Sequence, residues 1–146
     1  MNASELENRL IEFAVNVIEV VEEMPARKST QHLVSQLLRA SSSPALNYGE
    51  ARGAESQSDF LHKIKIVLKE LRETFNCLRI AYRVGFYANE ARMKELIKEN
   101  DQLIAIFVTT TRTAARTVAA STREGQTKNP IKLEHEERET ISRTSY

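Results

Sequence analysis

The chain has 146 residues, 41% apolar and 28% charged, which suits one globular domain with a single core and argues against a disordered chain. Four glycines and three prolines are too few for a turn-rich β fold, so helix is expected nearly throughout. The formal net charge of +1 points to no partner, and the single cysteine, Cys77, excludes an internal disulfide.

The first predicted helix opens at Ser4, where Ser4-x-x-Glu7 reads as a capping box. Leu6, Leu10, Phe13, Val17, Val20 and Met24 then recur at steps of four and three. A second row, Ile11, Ala14, Ile18 and Val21, widens the expected buried face, and Pro25 stops the helix. Six acids against Arg9 make this segment strongly acidic.

Helix two is expected to start after Ser29 or Thr30 and to run through Leu33, Leu37 and Ala40. It then enters residues 41–53, where small and polar residues replace the apolar seam, a sign of close helix approach or of a site. Pro44 allows two readings, a kinked helix or a new helix capped by Ser43. The pattern Leu33, Leu37, Ala40, Asn47, Ala51, Ala54 stays in phase and favours the kinked helix.

Ser56-x-x-Asp59 offers the cap for helix three, whose seam is Leu61, Ile64, Leu68, Leu71, Phe75, Leu78 and Tyr82. Gly85 followed by Phe86 predicts a left-handed terminus, and Asn89 starts helix four. There Met93, Ile97, Asn100, Ile104, Phe107, Thr111, Ala114 and Val118 keep the rhythm. The reading is an all-α, up-down-up-down antiparallel four-helix bundle over residues 4–123, with 124–146 as a mobile charged tail.

Several residues in this frame are similar to a known group. Gln36-Leu37-x-x-Ala40, Ser43-x-x-x-Asn47 and Glu50 carry the likeness, together with Asn47-Tyr48-x-x-Ala51 and Ala54-x-Ser56-x-x-Asp59-Phe60-x-x-Lys63-x-x-Ile66-Val67-x-x-Glu70-x-x-Glu73. The chain resembles the bacterial four-helix-bundle proteins first noticed as products of intervening sequences in 23S ribosomal RNA genes and once labelled S23 ribosomal proteins. Pro44, Tyr48, Gly49 and Ala51 depart from that family's usual Ile, Ile-Ala and Gly. The resemblance implies a closed ring, a homopentamer, and a likeness to the nucleic-acid-binding accessory protein of diversity-generating retroelements. It implies no enzymatic activity.

The residues themselves agree that chemistry is absent. A di-metal bundle needs two Glu-x-x-His pairs, whereas Asp59-x-x-His62 is the one carboxylate–histidine pair at that spacing, and His32 and His135 stand apart from it. No phosphate loop or nucleophile motif is present, so neither catalysis nor a cofactor or metal is expected. The acidic amino terminus has no signal-like stretch, and the longest uncharged run of helix four is about half a membrane span, so a cytoplasmic protein is expected.

Two constellations remain. Ser43, Asn47, Tyr48 and Glu50 form the polar group of helix two, with Asn47 expected to point inward as a clamp across helices; a ligand pocket is the other reading. Lys65, Lys69, Arg72, Arg79 and Arg83 sit one residue after seam positions of helix three, forming one basic stripe. Lys94, Lys98, Arg112, Arg116 and Arg123 form a looser stripe on helix four. Repeated around a ring, these stripes could track phosphates of RNA or DNA. Alternatively they meet Glu5, Glu12, Glu19 and Glu23 of helix one within the chain or across a subunit boundary, leaving a protein-interaction scaffold. Ile11, Val21, Ile66, Ile80 and Leu96, apolar yet outside the narrow seam, point to a homo-oligomer.

Overall fold

The computed structural model describes residues 1–127. Four helices follow one another, α1 (Ala3–Glu22), α2 (Lys28–Arg52), α3 (Gln57–Val84) and α4 (Glu90–Thr127). Their cross-helix partners run in opposite chain directions. Arg9 of α1 meets Glu99 of α4 while Glu19 meets Arg92, and Arg39 of α2 meets Glu70 of α3 while Glu50 meets Lys63. Each helix packs against its chain neighbours, and α1 closes on α4, so the architecture is the expected antiparallel up-down-up-down bundle.

The caps correct two expected starts. Asn2, not Ser4, opens α1: its side chain accepts from the Glu5 N–H at 2.8 Å while the Glu5 carboxylate accepts from the Asn2 N–H at 2.9 Å. That earlier start frees Glu7 to pair with Arg52 of α2. Helix α2 begins at Lys28, ahead of Ser29, with no side-chain cap at Arg27. Thr30 is packed inside the first turn instead of capping it.

Three other termini follow their signals. Ser56 Oγ accepts from the Asp59 N–H at 3.0 Å. Gly85 adopts φ 75°, the left-handed conformation open to a residue without Cβ, and lets the Phe86 N–H reach the Ala81 carbonyl at 3.1 Å. Asn89 Oδ1 accepts from the Arg92 N–H at 3.1 Å and so caps α4. That helix runs past Arg123 to Thr127, so residues 124–127 are helical and the rest of the expected tail lies outside the described residues.

Helix α2 is continuous through Pro44. The residues it buries are Thr30, Leu33, Leu37, Ala40, Ser41, Pro44, Tyr48 and Ala51, so the inward row passes through Pro44 and Tyr48 and leaves Asn47 aside. Small residues here permit close approach to α1, since a Cβ on Gly49 would stand 3.2 Å from Glu7 Oε1. On α1 the expected broad face is narrower than the second row implied. Ala14 and Val21 are buried, whereas Ile11 and Ile18 are 46% and 41% exposed, because they lie beyond the arc that α2 and α4 cover. Of the apolar residues expected to be in excess, Val21 and Leu96 are buried inside the chain and Ile66 is half-buried.

The continuity of α2 gives a direct test. Proline in a helix interior costs about 3 kcal/mol relative to alanine, and removing two buried methylenes costs about 1.6 kcal/mol. Pro44→Ala restores an N–H for the Ala40 carbonyl and is therefore expected to raise the stability by about 1 kcal/mol, read as a higher urea midpoint. A lower midpoint would contradict the continuous helix.

Candidate nucleic-acid interface

Burial of the α3 seam sets how that helix is rotated. Ile64, Val67, Leu71, Thr74, Leu78 and Ala81 face the core. At about 100° per residue the two flanks then differ in charge. Glu70 and Glu73 turn toward α2, where Arg39 brackets them, its Nη1 donating to Glu70 Oε2 at 2.9 Å and its Nη2 to Glu73. Lys63 joins the same side, donating to Glu50 Oε2 of α2 at 2.6 Å. Lys65, Arg72, Arg79 and Arg83 fall on the other flank, toward α4, and Lys69 lies between.

The structure therefore keeps the stripe together and separates it from its acids. Lys65, Lys69, Arg72, Arg79 and Arg83 are exposed, and none has a carboxylate within ion-pair distance among the described residues. Arg79 lies over the Phe75 ring, 5.2 Å from its centroid. On the facing helix Lys94 lies 5.8 Å from the centroid of the Tyr82 ring of α3, and Lys98, Arg112 and Arg116 are exposed. One basic surface thus spans the α3–α4 flank, interrupted by Asp101.

Helix-one acids do not reach this stripe within the chain, because α1 and α3 lie on opposite corners of the bundle. They meet other bases. Glu19 and Glu23 hold Arg92, Glu23 also accepts from the Tyr87 hydroxyl at 2.5 Å, and Glu7 holds Arg52. The hydrogen bond to Glu23 pushes the Tyr87 phenol above its ordinary range, with burial adding to it. Arg9 forms a two-pronged pair with Glu99 and also donates to Gln102 at 2.9 Å.

The helix-two polar group does not converge. Asn47 donates to the Ser43 carbonyl at 3.0 Å and to Ser43 Oγ at 2.9 Å, a bond within one turn of α2, so it is no clamp across helices. Its position is set by the proline-bearing row beneath it: Pro44 and Tyr48 take the inward places and turn Asn47 to the flank. Glu50 is exposed and pairs with Lys63. Tyr48 is buried with its ring edge-on to Phe107 of α4, 5.5 Å between centroids, and this burial raises its phenol pKa. His32 and His62 are exposed, His135 lies outside the described residues, and no group of three metal-ligating side chains occurs among those described.

The inward amide is Asn100 of α4, fully buried, with Nδ2 donating to the Leu71 carbonyl at 3.0 Å and Oδ1 unpartnered. Its place in the Met93, Ile97, Asn100, Ile104 row parallels that of Asn47 in the helix-two row, so spacing alone did not separate the two amides. Glu70, named above only within the family likeness, is 8% exposed.

The described residues thus form an all-α four-helix bundle with one basic flank. The model of the 23S rRNA-intervening sequence protein family matches residues 4–109, and the chain belongs to that family. A crystal structure at 1.70 Å of a protein of unknown function from the S23 ribosomal protein family of Bacteroides thetaiotaomicron VPI-5482 is similar in fold, with a TM-score of 0.66 at 24% identity. That match covers 73% of this chain and 97% of the other. No curated protein matches. No helix among the described residues is long and apolar enough to cross a membrane.

Asn100 carries the prediction for this region. Asn100→Leu removes a buried acceptor without a partner, a defect worth about 1–3 kcal/mol, and forfeits one hydrogen bond of about 1 kcal/mol. The urea midpoint is expected to rise, while amide spectra show extra or broadened peaks as the α3–α4 register loosens.

Proposed function

We propose that the protein is a non-enzymatic, ring-forming scaffold of the cytoplasm that holds nucleic acid, RNA foremost, on its α3–α4 flank through sequence-tolerant phosphate contacts. The observation that carries this reading is the segregation of charge on α3: exposed bases on one flank, and Glu70 and Glu73 both paired with Arg39 on the other. A row of cations with no carboxylate in ion-pair contact among the described residues is the arrangement that releases counterions when it meets phosphates. The stripe offers no exposed aromatic row for base stacking, which suits binding to the backbone.

Assembly enters through α1. Its outer face exposes Ile11, Val15 and Ile18 beside Glu12 and Glu19, while α3 exposes Ile80 and Val84 beside Arg79 and Arg83. These surfaces stand on opposite corners and differ in charge. A contact between α1 of one copy and α3 of the next is heterologous, the kind that generates a ring where its rotation closes. By resemblance the ring is a homopentamer. This geometry also favours a second reading, in which the bases serve assembly and the ring is a protein-interaction scaffold.

Reversing Lys65, Lys69 and Arg72 to Glu separates the two. On the first reading the oligomer survives, retention of unrelated RNA sequences falls together, and the wild-type complex shows a logarithmic salt slope of about −2 to −4 for three to five phosphates. On the second, native mass spectrometry shows the oligomer dissociating, and reversal of Glu12 and Glu19 to Lys partly restores it. Intact assembly with unchanged, salt-insensitive RNA retention would remove the nucleic-acid role of this flank.

A further inference from the structure

At the corner where α2 hands over to α3 lies a cavity of about 670 Å³, within the size range of small-molecule sites. Its apolar lining is the methyl groups of Ala3, Ala51 and Ala54 together with the half-buried Phe60 ring. Tyr48 lines it too. The residue is 5% exposed, and its hydroxyl, which is not among the fully buried polar atoms, makes no hydrogen bond to the protein among the described residues. The ring is buried while the hydroxyl oxygen opens to the cavity, where it offers a donor and an acceptor to whatever enters.

The rim supplies charge of both signs. Arg52 lines the cavity and is paired with Glu7 through one nitrogen, so its other N–H groups have no protein partner among the described residues. Gln57 is the first residue of α3, and Ser56 Oγ satisfies the Asp59 N–H, so the first-turn N–H of Gln57 remains for an anion. Glu55 also lines the cavity. A carboxylate there repels a bare anion but accepts hydrogen bonds from an amino group.

We propose that this corner binds a nucleotide: a flat base bearing an amino group, seated on Phe60 and the alanines with its edge toward Tyr48 and Glu55, and a phosphate held by Arg52 and the start of α3. The chemistry is shared by a free nucleoside monophosphate and by the phosphorylated end of a strand. It does not rest on the basic α3–α4 flank, which faces a different side of the bundle.

The test is an amide-spectrum titration of the full-length protein with adenosine monophosphate, inorganic phosphate, adenosine, and a short oligonucleotide with or without a 5′-phosphate. Saturable shifts at Ala54, Gln57 and Phe60 are expected for adenosine monophosphate. Phosphate and adenosine should each bind roughly tenfold more weakly, since neither engages both halves of the cavity. Tyr48→Phe keeps the ring against Phe107 and should weaken binding about fivefold, the effect of losing one neutral hydrogen bond. Glu55→Gln, on the exposed rim, tests the amino contact without touching the core.

If the phosphorylated strand binds at these amides and the free nucleotide as well, the proposal stands for both sources; binding by only one of them assigns the source. The proposal fails if neither saturates, if phosphate alone binds as tightly as the nucleotide, or if Tyr48→Phe changes nothing. Failure here is distinct from failure of the flank, because the Lys65, Lys69 and Arg72 reversal is expected to leave nucleotide binding at this corner intact.

Discussion

Burial of the α3 seam constrains everything the surface presents. Once Ile64, Leu71 and Leu78 point to the core, the helix has no rotational freedom left, and every other side chain has its flank assigned. The bases stand one residue after seam positions and so turn toward α4, while Glu70 and Glu73 turn toward α2. Arg39 then answers a specific need: Glu70 is only 8% exposed, and a carboxylate that deep without a partner would be costly to keep charged. Pairing it removes the acids from the basic flank in the same stroke.

Helix α2 shows a different balance. Pro44 removes one backbone bond, yet the helix continues, because its row of inward residues is packed on both sides of the proline. Polar residues of this turn are used locally: Ser42 Oγ donates to the Leu38 carbonyl at 2.7 Å, and Asn47 closes on Ser43. Small residues let α1 approach, which is why Gly49 sits against Glu7. The cavity at the lower end of the helix follows from the same run of alanines, whose methyls leave space that larger side chains would fill.

The long α4 extends the bundle beyond its partners. Its 38 residues span about 57 Å at 1.5 Å per residue, against about 30 Å for the 20 residues of α1. Phe60 and Gln57, at the start of α3, are level with Ala114 and Thr117, so the last turns project past the α2–α3 connection. The family match ends at residue 109, before that projection. Arg112 and Arg116 lie beyond the matched residues but level with the start of α3, so the basic flank continues past the matched core.

The sequence by itself determined the four helices, their order and most of their caps, because these depend on local spacing: seams at steps of three and four, Ser56 before Asp59, Gly85 before Phe86. It also determined that the α3 bases share one stripe, since a helix fixes the angle between residues whatever surrounds it. Capping at Asn2 and not Ser4 escaped it because both residues carry a plausible partner three positions on, and only the pairing of Glu7 with Arg52 on another helix separates them. The tertiary structure alone decided which polar residues face inward. Asn47 and Asn100 look equivalent along the chain, but α2 buries the row through Pro44 and Tyr48, while α4 buries the row through Asn100. Partners of the acids were likewise beyond the sequence. Which helix lies beside which corner depends on how the bundle closes, and closure set α1 diagonal to α3, sending its acids to Arg52 and Arg92.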